Sequence, residues 1–280
     1  AGIQGRFFGC LRTFNRQPGG YGLEGLPMFQ QPLDFRDESE ALFQLVDKLS
    51  DDKLCRQTQF KHWTLNDIVT HLHMWNWAAD LSLTDESALL EFIGRVKAAI
   101  PQIGMRQFET DWVDGLAGRA LVSRWREYYS DMAARWVDAD PKARLKWAGP
   151  DMSVLSSITA RLMETWAHGQ AVYDLLGVKR VDTDRIHNIA VLGVNTFKWT
   201  FLNRGWTVPD QVPQVELVAP SGECWSWNES NPDDRISGSA TEFCQVVTQT
   251  RNIADTQLMV SGPVAERWIA NAQCFAGPPA

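Results

Sequence analysis

Several features that would sort this chain quickly are absent. No run of lysine or arginine forms a basic patch, and the 280 residues carry a formal net charge of -7. An acidic chain repels phosphate backbones, so nucleic acid is not an expected partner. The five cysteines, at positions 10, 55, 224, 244 and 274, are odd in number and none pair at CxxC spacing. That disfavours a disulfide framework or a cysteine zinc site and fits a reducing, cytoplasmic setting. No apolar stretch approaches the ~18 residues of a membrane-spanning helix, so no membrane partner is expected. The first residues lack the basic stretch and long apolar core of a secretory signal.

Tryptophan is abundant instead, with 13 spread along the whole chain. Dispersed in this way, they read as core anchors rather than one stacking platform. Hydrophobic content of 44% and charged content of 22% are those of an ordinary globular protein.

Residues 1–31 are rich in Gly, Gln and Pro, show no helical period and read as an N-terminal arm. Gly20 to Gly25 match GxGxxG, but no strand precedes them and no helix follows, so the match carries no dinucleotide site. Apolar periodicity then predicts a first helix opening at Pro32 or Asp34. A second follows Thr64, where the T-x-x-D pattern with Asp67 makes a capping box and Trp63 with Ile68 a possible hydrophobic staple. A shorter helix is expected over 86–99, stopped near Pro101, and an irregular segment over 100–116. Further long helices are expected over 117–137 and from Ser153 or Ser156 to the C-cap glycine Gly177, with a loop over 138–151. Four long amphipathic helices suggest an antiparallel bundle over 32–178. Beyond it, 179–280 reads as a small α+β domain. It has a helix from Asp182 to Asn203, a hairpin 215–227 and a strand from Arg235. A helix over Ala240–Thr250, a strand near Val260 and a last helix over Ala265–Phe275 follow.

The chemistry concentrates in Leu162-Met163-Glu164-Thr165-Trp166-Ala167-His168-Gly169-Gln170. Glu164 and His168, at i and i+4, share a helix face with Ser157, Ala160, Ala167 and Ala171, mostly small neighbours. His71, at the edge of the buried stripe of the second helix, supplies a third donor if the two helices meet. Two histidines and one carboxylate with a vacant position are the donor set of catalytic zinc, and suit iron, nickel or manganese as well. The alternatives stay open at this level. Glu164 could pair with Arg161 as a surface bridge, and His71 could be a satisfied buried histidine. Asp67 reads as a cap alone. His62 reads as exposed and His187 as an ordinary helix-start residue; His73 points away from the buried stripe, a direction that disfavours ligation but leaves open a contact behind the ligands or with substrate.

The stretch Trp63-Thr64-Leu65-Asn66-Asp67-Ile68-Val69-Thr70-His71-Leu72, with Glu164-Thr165-Trp166-Ala167-His168 some ninety residues later, resembles the DinB/YfiT-like metal-binding superfamily. The similar branch is that of mycothiol-dependent maleylpyruvate isomerase, whose pattern is W-T-x-x-D-x-x-x-H-L followed by E-x-x-x-H. Gly238 to Phe243 leading to Arg251, and Phe275 to Pro279, resemble the appended domain of its two-domain members. The resemblance implies a DinB-like bundle with a divalent metal held by His71, Glu164 and His168, zinc before nickel, iron or manganese. It also implies a low-molecular-weight thiol as cofactor, an isomerase or S-transferase activity on a small unsaturated carboxylate, and a carboxylate-binding role for Arg251. The competing reading of Arg251 is a helix-end arginine serving the dipole. A hydrolase using metal-bound water and a non-catalytic metal-binding protein are the competing functions. A small molecule is the expected partner, and an oligomer is open.

Overall fold

The computed structural model describes residues 29–231 and 233–277; residues 1–28 of the expected N-terminal arm lie outside the described residues. Helix α1 (Gln31–Val46) takes Pro32 in its first turn, where a missing N–H costs nothing, and buries Phe35, Leu42, Phe43 and Val46. The short α2 (Asp51–Leu54) leads to α3 (Leu65–Thr84), α4 (Glu86–Trp112) and α5 (Gly118–Trp136). A small hairpin, β1 (Arg144–Leu145) with β2 (Met152–Ser153), precedes α6 (Val154–Leu176) within the segment expected to be loop. The Ser153 hydroxyl caps α6 by accepting from the Ser156 N–H at 3.0 Å, and Gly177 closes the helix at φ 65°.

Helix α1 packs on α5 and α6, and α3 packs on the same two, so the four close a ring around one core. Leu42, Leu65, Ile68, Leu72, Trp125, Tyr129, Ile158 and Leu162 fill it. This is the bundle expected from the four amphipathic stripes. Helix α4 lies outside the ring against α3, through Met74, Ala78, Leu89 and Phe92.

Here the structure corrects the sequence reading. Residues 100–112 are helical rather than irregular, and Pro101 does not end α4. The axis breaks instead at Gly104, at φ 77° and ψ 160°. An added Cβ there would meet nothing within 4 Å, so the need for glycine is conformational, not steric crowding. The second half of α4 is thereby re-aimed towards α3.

After α6, one helix was expected over Asp182–Asn203. The structure has a 3-10 turn (Asp184–Ile186), then α7 (His187–Asn195) and α8 (Phe197–Leu202). The break is at Thr196, whose hydroxyl donates to the Leu192 and Gly193 carbonyls at 2.8 and 3.0 Å. Strands β3 (Gln214–Val218) and β4 (Cys224–Trp227) form the expected hairpin. Strand β5 (Arg235–Ser239) runs parallel to β3, α9 (Ala240–Val247) follows, and β6 (Met259–Ser261) pairs antiparallel with β5. Helix α10 (Pro263–Ile269) is the last element. Both α9 and α10 are shorter than periodicity suggested; Gln249, at φ 58°, turns the chain away after α9.

The sheet order is β4-β3-β5-β6. A second core gathers Val215, Leu217, Ile236, Phe243, Trp268 and Phe201 around it, and Met163 and Trp166 of α6 enter this core rather than the first. Helix α6 therefore serves both cores, buried on nearly every side. None of the described helices is long and apolar enough to cross a membrane.

Candidate metal centre

The site begins with the start of α3. Thr64 Oγ1 accepts from the Asp67 N–H at 3.1 Å, and Asp67 Oδ2 accepts from the Thr64 N–H at 2.8 Å, the reciprocal capping expected from the sequence. Two turns on, this places His71 on the face that meets α6. There Glu164 and His168 occupy successive turns, and one donor atom from each of the three lies within 4.8 Å of the others.

The edges of this triangle test whether a cation fits. His71 Nε2 is 3.6 Å from Glu164 Oε2, and His168 Nε2 is 3.2 Å from the same oxygen. Donors about 2.0–2.1 Å from a tetrahedral zinc stand roughly 3.3–3.4 Å apart, so the two edges bracket the required span. Nitrogen and carboxylate donors of this type suit a borderline divalent ion.

Glu109 orders the set, and sequence reasoning missed it. Its fully buried carboxylate lies 2.7 Å from His71 Nδ1 and accepts from Trp75 Nε1 at 3.2 Å and from Arg106 at 3.4 Å. A proton on Nδ1 shared with Glu109 leaves the Nε2 lone pair facing Glu164, the arrangement in which a carboxylate sets the tautomer and raises the basicity of a ligating histidine. Glu109 sits in the part of α4 that was read as irregular; its one sequence signal was the i, i+3 spacing from Arg106, meaningful only on a helix. Arg106 also reaches Asp67 in a close ion pair and lies over Trp63 at 4.9 Å, so Asp67 does more than cap.

Trp63 stacks on His168, with centroids 5.4 Å apart and planes 6° from parallel, and Phe60 meets the same imidazole edge-on at 5.2 Å. Trp63 thus braces a donor ring, beyond the staple expected of it.

Protonation follows from these contacts. Burial opposes charge on Glu164, but hydrogen bonds from His168 and His71 outweigh it and hold the carboxyl well below its usual range. Burial keeps His168 below the ordinary histidine value, with the neighbouring His71 charge adding to it. In His71 burial pulls the same way, yet Glu109 and Glu164 overcome it and raise the imidazole. An ionised carboxylate and a neutral His168 are in the protonation states that metal coordination requires, whereas His71 would have to release its extra proton for a cation to bind.

The remaining candidates lie elsewhere. Arg251 is not among the three converging donors: its guanidinium donates to Asp174 near the end of α6 at 2.7 Å and to the Thr250 carbonyl at 2.7 Å. Arg161 is not part of a surface bridge with Glu164; it is buried and makes no ion pair among the described residues. His62 is exposed, and His187 packs between Trp225 and Trp227. His73 was expected to point away from the buried stripe; it is buried instead, packed edge-on against Trp112 and Tyr128 on a side of α3 that also faces a core, beside a cavity of about 300 Å³.

Known proteins resemble this chain in sequence and in fold. Residues 35–173 match the family model of the mycothiol maleylpyruvate isomerase N-terminal domain. Uncharacterized proteins from two strains of Mycobacterium tuberculosis are 37% identical over 246 residues, covering 88% of this chain and 95% of theirs. A crystal structure of the mycothiol-dependent maleylpyruvate isomerase superposes with a TM-score of 0.50 over 79% of this chain and 88% of that one, at 14% identity, a likeness of fold.

Proposed function

Since the chain belongs to the family of the mycothiol maleylpyruvate isomerase N-terminal domain, we propose that it is a metal-dependent enzyme that uses a low-molecular-weight thiol either to isomerise a small unsaturated carboxylate or, as an S-transferase, to add the thiol sulfur across its double bond. His71, Glu164 and His168 are the proposed ligands. The observation that carries the reading is the convergence of these donors with edges of 3.2 and 3.6 Å, one of them held through Nδ1 by a buried carboxylate. A divalent cation, zinc first, would supply Lewis acidity, keeping a thiol ionised at neutral pH.

The chain's own residues do the rest. Glu109 retains the proton on His71 Nδ1 and so keeps Nε2 a donor. Phe60 and Trp63 restrict the His168 ring. Residues 32–178 are proposed as the metal-holding unit and 179–280 as the unit that roofs it, with α6 common to both.

The thiol reading is favoured over a hydrolase. Glu109 is engaged by three partners, Asp67 by its cap and Arg106, and Glu164 by two histidines, so none of these carboxylates is free to activate water. Metal analysis of the purified protein should give about one equivalent per chain, lost in His168→Ala with helicity unchanged. Equal metal in both proteins would remove the site. Turnover without added thiol would instead support the hydrolase.

A further inference from the structure

Helix α6 carries a cation that the fold does not satisfy. The Arg161 side chain is 7% exposed, and its buried NH1 has no hydrogen-bond partner. Among the described residues it makes no ion pair, and the charge acting on it is that of Glu164, one turn on, beyond ion-pair distance. An uncompensated buried charge costs several kcal/mol, so proteins retain one where something else completes it. Other buried guanidinium groups here are completed: Arg180 pairs with Glu38 and Asp182.

Position says what would complete this one. Arg161, Glu164 and His168 stand at i, i+3 and i+7, one stripe along α6, with about 10 Å of helix rise from first to last. Arg161 therefore leaves the helix on the face that carries Glu164 and His168, and Glu164 is the charge that acts on it. A cation bound by Glu164 would neutralise the one carboxylate that acts on Arg161, leaving the arginine more in need of an anion. Planar, forked donors match a carboxylate in two parallel hydrogen bonds, whereas a phosphate dianion would call for further donors beside it.

We propose that Arg161 is the anchor for the carboxylate of the small electrophilic substrate, holding that group one helical turn from the metal centre. The proposal rests on the functional reading above for the substrate class, and on the unpartnered guanidinium for the residue. It differs from an anchor at Arg251, which would have to leave Asp174 to reach a ligand.

Maleate, with dimethyl maleate as the uncharged control, is the probe. Calorimetric titration of the zinc-loaded protein should show maleate binding weakened about tenfold or more in Arg161→Met, and less in Arg161→Lys, at unchanged zinc content. Dimethyl maleate should bind the variants and the parent alike. In the absence of any anion, Arg161→Met should melt no lower than the parent, because it removes an unpaired buried charge, and maleate should raise the melting temperature of the parent alone. Undiminished maleate affinity, or an anion-free variant that melts lower or fails to fold, would overturn the proposal by making Arg161 structural. Arg161 dependence shown by N-acetylcysteine and not by maleate would overturn the assignment to the substrate. Loss of zinc binding in the parent itself would sink the metal reading, while the maleate-induced thermal shift of metal-free protein would still judge Arg161.

Discussion

Glu109 decides which way His71 presents its lone pair. The carboxylate is fully buried and hydrogen-bonded to His71, Trp75 and Arg106, none of which can be released without cost. Glu109→Gln keeps the shape but removes the charge that favours a proton on Nδ1. Zinc affinity, read by competition with a chromogenic chelator, is expected to fall by about 10- to 100-fold, with helicity unchanged. An unaltered affinity would show that Nδ1 needs no carboxylate. The three side chains that converge were legible in the sequence as candidates, because Glu164 and His168 at i and i+4 must share a helix face and the capping box set the phase of the helix bearing His71. Glu109, Trp63 over His168, and the burial of Arg161 were not. Each depends on where a side chain from another segment arrives.

At the scale of elements, the long stripes of α1, α3, α5 and α6 were readable because burial of one face imposes a 3.6-residue period. Breaks were harder to see. Pro101 looked like a stop, yet the helix continued to Gly104, whose φ of 77° an L side chain rarely adopts. Thr196 split a helix that periodicity made continuous, through two hydroxyl bonds back to the preceding turn. The α1–α5 contact offers a test in pH. Burial works against the charge of Glu40, but hydrogen bonds from Tyr129 at 2.7 Å and from Arg126 and Gln44 outweigh it and lower the carboxyl below its ordinary value. A lowered folded value means the unfolded chain binds the proton more readily. The stabilisation is therefore complete above the ordinary carboxylate value and is lost as pH falls from there through the lowered folded value. Glu40→Gln should melt lower than the parent near about pH 7, with the gap closing towards about pH 3. A gap constant across that range would show that the charge contributes nothing.

At the scale of the whole molecule, an ion network joins α1 and α6 of the bundle to α9 beyond it. Glu38 of α1, 2% exposed, accepts from Arg180 and from Arg185 at 2.6 Å; Arg180 also meets Asp182 at 3.1 Å, and Asp182 accepts from Trp166 of α6 and Thr241 of α9. Arg180 further lies over the rings of Trp166 and Tyr173 at 4.4 and 4.9 Å. Removing the central carboxylate leaves two cations short of their partner. Glu38→Ala should lower the unfolding free energy measured in urea by about 3–5 kcal/mol, and Glu38→Leu combined with Arg180→Met should recover part of it. A loss below about 0.5 kcal/mol would place the network with exposed pairs that contribute little.

The sequence by itself determined the four long helices of the bundle, where two of them are capped, the α+β character of the second half, and the spacing of His71, Glu164 and His168 on their helices. These follow from local periodicity and from hydrogen bonding within a turn or two. Only the tertiary structure decided that α3 and α6 meet at those donors. It alone brought the re-aimed half of α4 to set a buried carboxylate behind His71, and enclosed Arg161 beside the centre without a partner. Burial and the convergence of distant side chains are properties of packing between elements, and no spacing within a single element encodes them.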